Sequence, residues 1–308
     1  SLTVVKYTKS KDGGKNWELP AVIINDGYFG YKPAIAVDPD NPQCIHVAYV
    51  GYIIEEEYVT VRYIRSKDGG NTWSSSLRIT GDNLNCDNPD IVVDSQGNPH
   101  VAFDSYEDDF IRYNYSSDGG TTWLEQAEVV NANLNKATFS VSITLDDKGN
   151  PHLLFGGGED TDFNTYWTWR DMTTGTWQVD PPMALSEDGG GTPYHSMVFD
   201  SQGVGHCWYD ARGTVVLRSV YYQQYDPVAG WSSGRELKSH FSGGSTIMPQ
   251  CAIDSQDHLF IGYIDGIIDS KNLQLSGGDF FIGTNESGSW HYENLSTNGL
   301  NIQESNPN

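Results

Sequence analysis

Four residues in the second half of the chain carry side chains of types that take part in acid–base chemistry. His195 and Tyr194 could act as a general acid or base, and Arg212 could bind an anionic group. Asp210 lies two residues before Arg212 and adds a carboxylate to the same segment. If the protein is an enzyme, these four residues are the predicted catalytic candidates.

Other side chains suited to sugars occur in segments that the repeats described below place on the same face. Aromatic rings stack on the C–H faces of sugars, whereas carboxylates accept hydrogen bonds from hydroxyl groups. Two carboxylates at a suitable separation would also support glycoside hydrolysis. The predicted ligand-binding residues are Tyr52, Asn88, Asp104, Tyr106, Phe139, Tyr194, His195, Asp210, Arg212, Gln250 and Asp265.

The elements that must position these residues are set out by six regularly spaced tryptophans. They are Trp17, Trp73, Trp123, Trp177, Trp231 and Trp290, and by subtraction their separations are 56, 50, 54, 54 and 59 residues. A fixed period of this length indicates a repeat architecture. The first three tryptophans close the same eight-residue segment, called the box here, at Ser10–Trp17, Ser66–Trp73 and Ser116–Trp123.

Two short alternating runs joined by a turn recur between the boxes, as in Pro33–Asp38 followed by Ile45–Tyr49. This pattern predicts a β-hairpin of strands A and B. The run before each box predicts strand C, and the run from the box tryptophan, such as Trp123–Val130, predicts strand D. Because A and B are antiparallel, the start of A and the end of B share one face, where the candidate residues lie. The strand A register predicted to be buried is Ile35/Val37, Ile91/Val93, Ile143/Leu145, Met197/Phe199 and Cys251/Ile253.

Four antiparallel strands in each repeat make one blade of a β-propeller. The chain contains six C–D units and five A–B units. The predicted fold is therefore all-β, a six-bladed propeller in a single domain over residues 1–308, with an incomplete first blade. Two alternatives stay open. The chain could form five blades with an extra hairpin, or it could be a piece cut from a longer array.

Four histidines recur near the A–B turns at spacings of 54, 52 and 54, namely His46, His100, His152 and His206. Phe260 follows after another 54 residues, at the fifth equivalent position. A phenylalanine cannot bind a metal, so the pattern favours packing or a hydrogen bond to the turn over a metal site.

The net charge of −23 excludes several classes of partner. Such a surface repels phosphate backbones, so nucleic acid is not an expected partner. No run of 18 apolar residues occurs, so no membrane span is predicted. We expect a monomer without a cofactor or a metal centre, and leave structural Ca²⁺ open because clustered carboxylates can bind it. No C-x-x-C pair occurs among the four cysteines, and a Cys207–Cys251 bridge stays open.

The box has the pattern Ser-x-Asp-x-Gly-x-x-Trp and resembles the Asp box, or BNR repeat, of sialidase-like β-propellers. In that family the box is a structural turn on the face opposite the active site. Three copies match the full pattern, whereas the segments that end at Trp177, Trp231 and Trp290 match it only in part. The matching residues are Ser10, Asp12, Gly14, Trp17, Ser66, Asp68, Gly70, Trp73, Ser116, Asp118, Gly120 and Trp123.

Sialidase activity is not expected, because the Arg-Ile-Pro motif that supplies the first of the family's three sialate-binding arginines is absent from this chain. His195, Tyr194 and Arg212 also resemble the residue types at the centre of propeller polysaccharide lyases such as ulvan lyases. The resemblance implies that His195 or Tyr194 would remove a proton from carbon while Arg212 neutralises a uronate carboxylate. Two hypotheses follow. The favoured one is a secreted or cell-surface propeller that binds carbohydrate without catalysis, and the alternative is a glycoside hydrolase or polysaccharide lyase.

Overall fold

The structure is a computed structural model built entirely from β strands and turns in the part that it describes. None of the described residues forms a helix that is long and apolar enough to span a membrane. The described residues are 4–24, 29–52, 58–81, 84–134, 136–159, 162–186, 194–211, 218–237, 239, 244–268, 275–286 and 289–296. Arg212 therefore lies outside them.

The chain divides into two compact units, Ser1–Ala132 and Asn133–Asn308. In the first unit, described strands form a two-stranded sheet and two four-stranded sheets, each antiparallel and in chain order. These strands are β1 (Lys6–Tyr7) with β2 (Ala21–Val22), then β3 (Phe29–Val37), β4 (Ile45–Tyr52), β5 (Thr60–Ser66) and β6 (Leu77–Arg78), then β7 (Cys86–Val93), β8 (Pro99–Ser105), β9 (Phe110–Tyr115) and β10 (Glu128–Val129).

In the second unit, described strands form three antiparallel sheets, and two of these sheets split their outermost strand into two short pieces. These strands are β11 (Thr138–Leu145), β12 (Pro151–Glu159), β13 (Asp162–Asp171), β14 (Thr176–Trp177) and β15 (Met183–Ala184), then β16 (His195–Phe199), β17 (Gly205–Ala211), β18 (Ser219–Asp226), β19 (Gly230–Trp231) and β20 (Arg235–Leu237), then β21 (Ser245–Ile253), β22 (Leu259–Ile268), β23 (Leu275–Thr284) and β24 (His291–Asn294).

The prediction of four-stranded antiparallel sheets is confirmed, whereas the predicted extent of strand D is wrong. In the first unit the outermost strand is two residues long and begins well after the box tryptophan, as Glu128 does after Trp123. The residues between them form a turn and an irregular segment. The box therefore ends in a loop, and its tryptophan is free to pack sideways rather than to pair in the sheet.

The predicted strand A register is right at Ile91, Ile143 and Met197, which are buried, and wrong at Ile35 and Val37. Ile35 is 55% exposed and Val37 is 48% exposed. The physical reason lies in the neighbouring sheet, which has only β1 and β2 among the described residues. Its apolar side chains Val5, Ile23 and Ile24 pack against Val47, Tyr49 and Ile64 of β4 and β5, and they meet β3 at Gly30 rather than at Ile35 and Val37.

The three intact boxes form the same hydrogen-bonded turn. In the second box, Ser66 Oγ accepts from the Gly70 amide at 2.8 Å, and Asp68 Oδ1 accepts from the Thr72 amide at 2.8 Å. The side-chain and backbone hydrogen bonds of Thr72 lower the pKa of Asp68 to about 2. Gly70 has a φ of +84°, a conformation that glycine adopts without steric cost.

Box tryptophans pack edge-on against an aromatic ring of the preceding sheet. Their ring centroids lie 4.8 to 6.0 Å from that ring, within the range of favourable aromatic pairs. The contacts join Tyr7 with Trp73, Tyr63 with Trp123, Trp167 with Trp231, and Trp208 with Trp290. The periodic tryptophans thus join successive sheets within each unit.

The recurring histidines on the B strands bind aromatic side chains of the C strands. His46 Nδ1 lies 2.7 Å from the Tyr63 hydroxyl, and burial lowers the pKa of His46 to about 4. His100 and His206 make the same contact with Tyr113 and Tyr222, whereas His152 Nδ1 accepts a hydrogen bond from Trp167 Nε1. The histidines therefore make side-chain hydrogen bonds to the neighbouring strand of the same sheet. This agrees with the packing or hydrogen-bonding role that Phe260 at the fifth equivalent position favoured over a metal site.

All four cysteines are free thiols, so the Cys207–Cys251 bridge that the sequence left open is not formed. Burial raises the pKa of Cys86 and of Cys251 to about 12. Thiols with such pKa values stay protonated and are poor nucleophiles.

The Tyr63–His46 contact predicts the effect of a small substitution. Tyr63→Phe leaves Nδ1 of buried His46 without its partner, so we expect a loss of about 1–3 kcal/mol in the free energy of unfolding. Urea unfolding measures this. Tyr31→Phe, at a 36% exposed position, is the control and should change stability by less than about 0.5 kcal/mol. Equal stabilities for the two variants would contradict the assigned role of the histidine pair.

Candidate functional site

A repeated backbone irregularity marks the start of the first strand in four sheets. Lys32, Asn88, Ser140 and Met248 have φ values of 45°, 48°, 51° and 58°, and each falls in a register shift. Residues other than glycine rarely adopt this conformation, and strained positions of this kind cluster at functional sites. The irregularity interrupts the regular alternation of side chains at the end of the sheet where the ligand-binding residues were predicted.

In the first unit these strand starts bring together a polar cluster that we call the Lys32 cluster: Lys32, Asp87, Asn88, Asp104 and Tyr106. Lys32 Nζ forms an ion pair with Asp87 and donates to Asn88 Oδ1 at 2.9 Å. Asn88 Nδ2 donates to Asp104 Oδ2 at 2.8 Å, and the Tyr106 hydroxyl donates to Asp87. Three predicted ligand-binding residues, Asn88, Asp104 and Tyr106, therefore lie in one hydrogen-bonded group.

The two carboxylates of the Lys32 cluster sit directly opposite each other. Asp87 and Asp104 are cross-strand partners in β7 and β8, only 4% and 1% exposed. Like charges in this position destabilise a sheet unless they are compensated, here by the ammonium of Lys32, the amide of Asn88 and the hydroxyl of Tyr106. Within the described part of the chain, buried Oδ1 of Asp87 has no hydrogen-bond partner.

Aromatic surface lies beside these carboxylates. Tyr106 is 58% exposed and Tyr31 is 36% exposed. Burial and the hydrogen bond to Asp87 raise the pKa of the Tyr106 hydroxyl above its usual range, and burial and the Asp87 charge raise that of Tyr31. Both hydroxyls are therefore protonated at neutral pH, so both act as hydrogen-bond donors on exposed rings.

In the second unit a different group forms around Asp210, and we call Tyr194, Asp210 and Arg218 the Asp210 cluster. Asp210 is fully buried, and its carboxylate accepts from the Met248 amide at 3.2 Å. Burial lowers the pKa of half-buried Arg218, while the nearby Asp210 carboxylate and Tyr194 hydroxyl act in the opposite direction. A guanidinium, a carboxylate and a phenol thus share this strand end.

His195 belongs to the packing of the second unit. Its Nε2 lies 3.1 Å from the carbonyl oxygen of Ser140, which can only accept, so Nε2 carries the proton. Its Nδ1 then accepts from the Ser142 hydroxyl at 2.9 Å. Burial lowers the pKa of His195 to about 4. The imidazole is neutral, and both of its nitrogens already have partners in β11.

The remaining candidates are distributed over other contacts. Tyr52 packs against Phe29 with ring centroids 6.2 Å apart, and Phe139 packs edge-on against Phe163 at 4.9 Å. Gln250 is exposed in β21. Asp265 is fully buried and accepts a hydrogen bond from Ser239. Arg212 falls in the stretch 212–217, outside the described residues.

Lys32, Asp87 and Arg218 belong to these clusters but are not among the predicted ligand-binding residues. Lys32 directly precedes Pro33 and Asp87 lies two residues before Pro89, at the start of the strand A pattern, so both positions fall on the predicted face. Arg218 comes just before β18, which runs antiparallel to β17. The start of a C strand lies beside the end of the B strand, so arginines there deserved the same weight as Arg212.

Across the described ranges, no group of three or more histidine, cysteine, aspartate or glutamate side chains is arranged to hold a metal ion. The carboxylates of the Lys32 cluster bind an ammonium, an amide and a hydroxyl instead.

Comparison with known proteins gives a fold and no family. No family model and no curated protein matches the chain. Among solved structures, an uncharacterised Dyadobacter fermentans protein is 11% identical, with 90% of this chain and 86% of that chain covered and a TM-score of 0.59. An ulvan lyase with bound GlcA(1-4)Rha3S is 15% identical, with 90% and 76% covered and a TM-score of 0.59.

The intramolecular trans-sialidase of Ruminococcus gnavus is 9% identical, with 90% of this chain and 96% of that chain covered and a TM-score of 0.51. Identities this low establish the fold alone. The chain has the all-β, β-propeller fold that the tryptophan repeat predicted.

The neutral state of His195 predicts a pH dependence of stability. Burial lowers its pKa from 6.5 to about 4, so the unfolded chain takes up a proton below pH 6.5 while the folded chain does not. The contribution of His195 is complete above pH 6.5 and is lost as the pH falls towards 4, at most about 3 kcal/mol. Urea unfolding of the wild type and of His195→Gln over this range measures it. The variant should lose less stability than the wild type, and parallel losses would refute the assignment.

Proposed function

We propose that this protein is a carbohydrate-recognition propeller, secreted or displayed at the cell surface, that binds a glycan without cleaving it. The observation that carries the proposal is the Lys32 cluster, where exposed tyrosine rings lie beside buried, hydrogen-bonded carboxylates. Rings of this kind stack on sugars, and rigidly held polar groups select the hydroxyl pattern. The boxes are then Asp boxes that hold the sheets in place.

The chemistry of the Lys32 cluster favours binding over catalysis. A catalytic tyrosine must lose its proton readily, and the raised pKa of Tyr106 opposes this. His195, the base predicted from the sequence, has both nitrogens engaged. The structurally similar ulvan lyase and trans-sialidase support a carbohydrate ligand, because both of those proteins act on sugars.

The Asp210 cluster favours a second candidate function, a polysaccharide-active enzyme of the hydrolase or lyase type. Ser219 pairs with Ala211 across the sheet, so Arg218 lies at the strand end that carries Asp210. Burial lowers the pKa of Arg218, and the Asp210 carboxylate acts to raise it. A guanidinium beside a phenol and a carboxylate could hold an acidic sugar while a proton is transferred. This candidate ranks second because Asp210 is fully buried and its carboxylate already accepts a hydrogen bond from the Met248 amide.

Substitutions in the Lys32 cluster test the binding proposal. Asp87→Asn removes the acceptor charge for Lys32 and Tyr106, and Tyr106→Ala removes the exposed ring. We expect each to weaken retention on the bound glycan at least about tenfold, since a hydrogen bond to a charged group contributes about 1.5–3 kcal/mol. Asp40→Asn is the matched control, because Asp40 is an exposed carboxylate in the turn between β3 and β4. Glycan-array retention of folded variants that equals the wild type would overturn the site.

Mass spectrometry of glycans after incubation tests the catalytic candidate. The wild type is expected to leave sialylated, uronate-rich and neutral glycans at their original masses. If shorter or unsaturated fragments form instead, Arg218→Lys and Asp210→Asn should reduce their rate at least about 100-fold, as loss of an electrostatic contact to the reacting group does. Products that persist in both variants would place the chemistry elsewhere.

A further inference from the structure

The Lys32 cluster carries more negative than positive charge. Its members include two carboxylates, Asp87 and Asp104, and one ammonium, that of Lys32, so one positive and two negative charges give a formal charge of −1. Glu107 directly follows Tyr106, is exposed, and adds a further carboxylate at the edge of the cluster. The ammonium is already paired with Asp87. An incoming ligand therefore meets an excess of negative charge.

The charge of buried Asp87 is compensated at one of its two oxygens. Lys32 Nζ and the Tyr106 hydroxyl both donate to Oδ2 of this carboxylate. Among the residues that the structure describes, its Oδ1 has no hydrogen-bond partner. Because Asp87 is buried, solvent and salt screen its charge less than they screen an exposed carboxylate. The carboxylate therefore acts on a ligand through its electric field and not by direct contact.

The rings of Tyr106 and Tyr31 provide the surface that a ligand can reach, since both are exposed. The Tyr106 hydroxyl donates to the Asp87 carboxylate, which polarises the phenol and makes the face of its ring more attractive to a cation. Burial and the charge of Asp87 raise the pKa of Tyr31, and the second of these causes reflects a negative environment. The exposed rings therefore favour a positive ligand charge over a negative one.

A set of hydrogen bonds around Asn85 holds Tyr106 in place. The Tyr106 amide donates to the Asn85 carbonyl at 2.9 Å, and the Asn85 amide donates to Glu107 Oε2 at 2.7 Å. The Asn85 side chain donates to the other oxygen of Glu107 and accepts from the Val59 amide at 2.7 Å. The tyrosine backbone and the neighbouring carboxylate are thus positioned before a ligand arrives, which lowers the entropic cost of binding.

The charge of the Lys32 cluster discriminates between classes of sugar. Proteins bind the carboxylate of an acidic sugar with arginine or lysine, and the lysine of this cluster is engaged by Asp87. A neutral sugar stacks on the tyrosine rings but gains nothing from the negative field. A sugar with a free amino group carries an ammonium when protonated, and this ammonium gains from the field and from a cation–π contact with a ring.

We propose that the Lys32 cluster binds a glycan that carries free amino groups, with an ammonium over the ring of Tyr106, and that it rejects acidic sugars. This inference rests on the function proposed above, because it names the ligand class of the same site. Asp104 is buried and acts through its charge, whereas Glu107 adds its charge at the surface. Both are specificity-determining residues in this account.

Titration calorimetry of the full chain with matched tetrasaccharides tests the ligand class. The probes are a glucosamine tetrasaccharide, its fully N-acetylated form, a glucose tetrasaccharide and a glucuronate-containing tetrasaccharide. N-acetylation removes the charge and keeps the sugar ring, so this pair isolates the effect of the ammonium. We expect the amino form to bind at least about tenfold more tightly than the acetylated form, and the glucuronate form to bind most weakly. Added salt should reduce the difference.

The ratio of the amino-form affinity to the acetylated-form affinity separates an electrostatic role from a structural one, because general damage to the site weakens both. Asp104→Asn removes a charge and keeps an acceptor for Asn88, so we expect this ratio to fall at least about threefold. Asp40→Asn is the matched control, since it removes one exposed carboxylate outside the cluster from a chain of net charge −23. It should change the ratio less than about 1.5-fold.

Three outcomes would overturn the ligand class. They are equal or tighter binding of the acetylated form, tightest binding of the glucuronate form, and a ratio that Asp104→Asn changes no more than Asp40→Asn does. In each of these cases the protein still binds a glycan, so the function proposed above stands. Binding of no tetrasaccharide of any class would overturn both proposals. Thermal melting verifies folding, and Glu107→Gln provides the same test if Asp104→Asn is unstable.

Discussion

The edge-on packing of a box tryptophan against an aromatic ring of the preceding sheet is the interaction on which the rest of the structure depends. A sheet of four short strands cannot bury both of its faces alone, so each sheet needs a neighbour at a fixed distance. Trp123 against Tyr63 and Trp290 against Trp208 provide such contacts. The hydrogen-bonded turn of the box fixes the loop that carries the tryptophan. The strand ends on the other side are then held rigidly enough to carry a binding site.

The Lys32 cluster shows how rigid packing between sheets fixes the positions of charged side chains. Two carboxylates face each other across β7 and β8 because Lys32 from the neighbouring sheet pairs with Asp87, while Asn88 donates to Asp104. The left-handed backbone at Lys32 lies at the register shift from which that side chain extends. Charge compensation between sheets thus couples the position of one sheet to the electrostatics of the next. A ligand at this point meets preformed polar groups, which lowers the entropic cost of binding.

The regular spacing of the repeats made the fold predictable from the sequence. The wrong burial predictions arose where contacts between repeats, and not the repeat itself, decide the exposure of a side chain. Tryptophan spacing and alternating runs indicated the sheets because every repeat obeys the same packing rule. Ile35 and Val37 follow the pattern of their repeat, yet they are exposed, because burial depends on what the neighbouring sheet supplies. No pattern within a single repeat contains that information.

The site was predictable to the extent that it follows from antiparallel geometry. Asn88, Asp104 and Tyr106 were placed on one face, and they do meet. Lys32 and Arg218 were missed because their partnerships arise from a backbone irregularity and from the start of a C strand. His195 was predicted as a general base from its residue type, but its ring nitrogens are hydrogen-bonded to Ser140 and Ser142 inside the sheets.

Hydrogen–deuterium exchange of the protein with and without a retained glycan tests the central claim most directly. Binding at the Lys32 cluster predicts slower exchange at the start of β7, around Asp87 and Asn88, and at Tyr106 after the end of β8, with the glycan recovered intact. Protection confined to other segments, or a glycan recovered as fragments, would contradict a non-catalytic recognition site at this place.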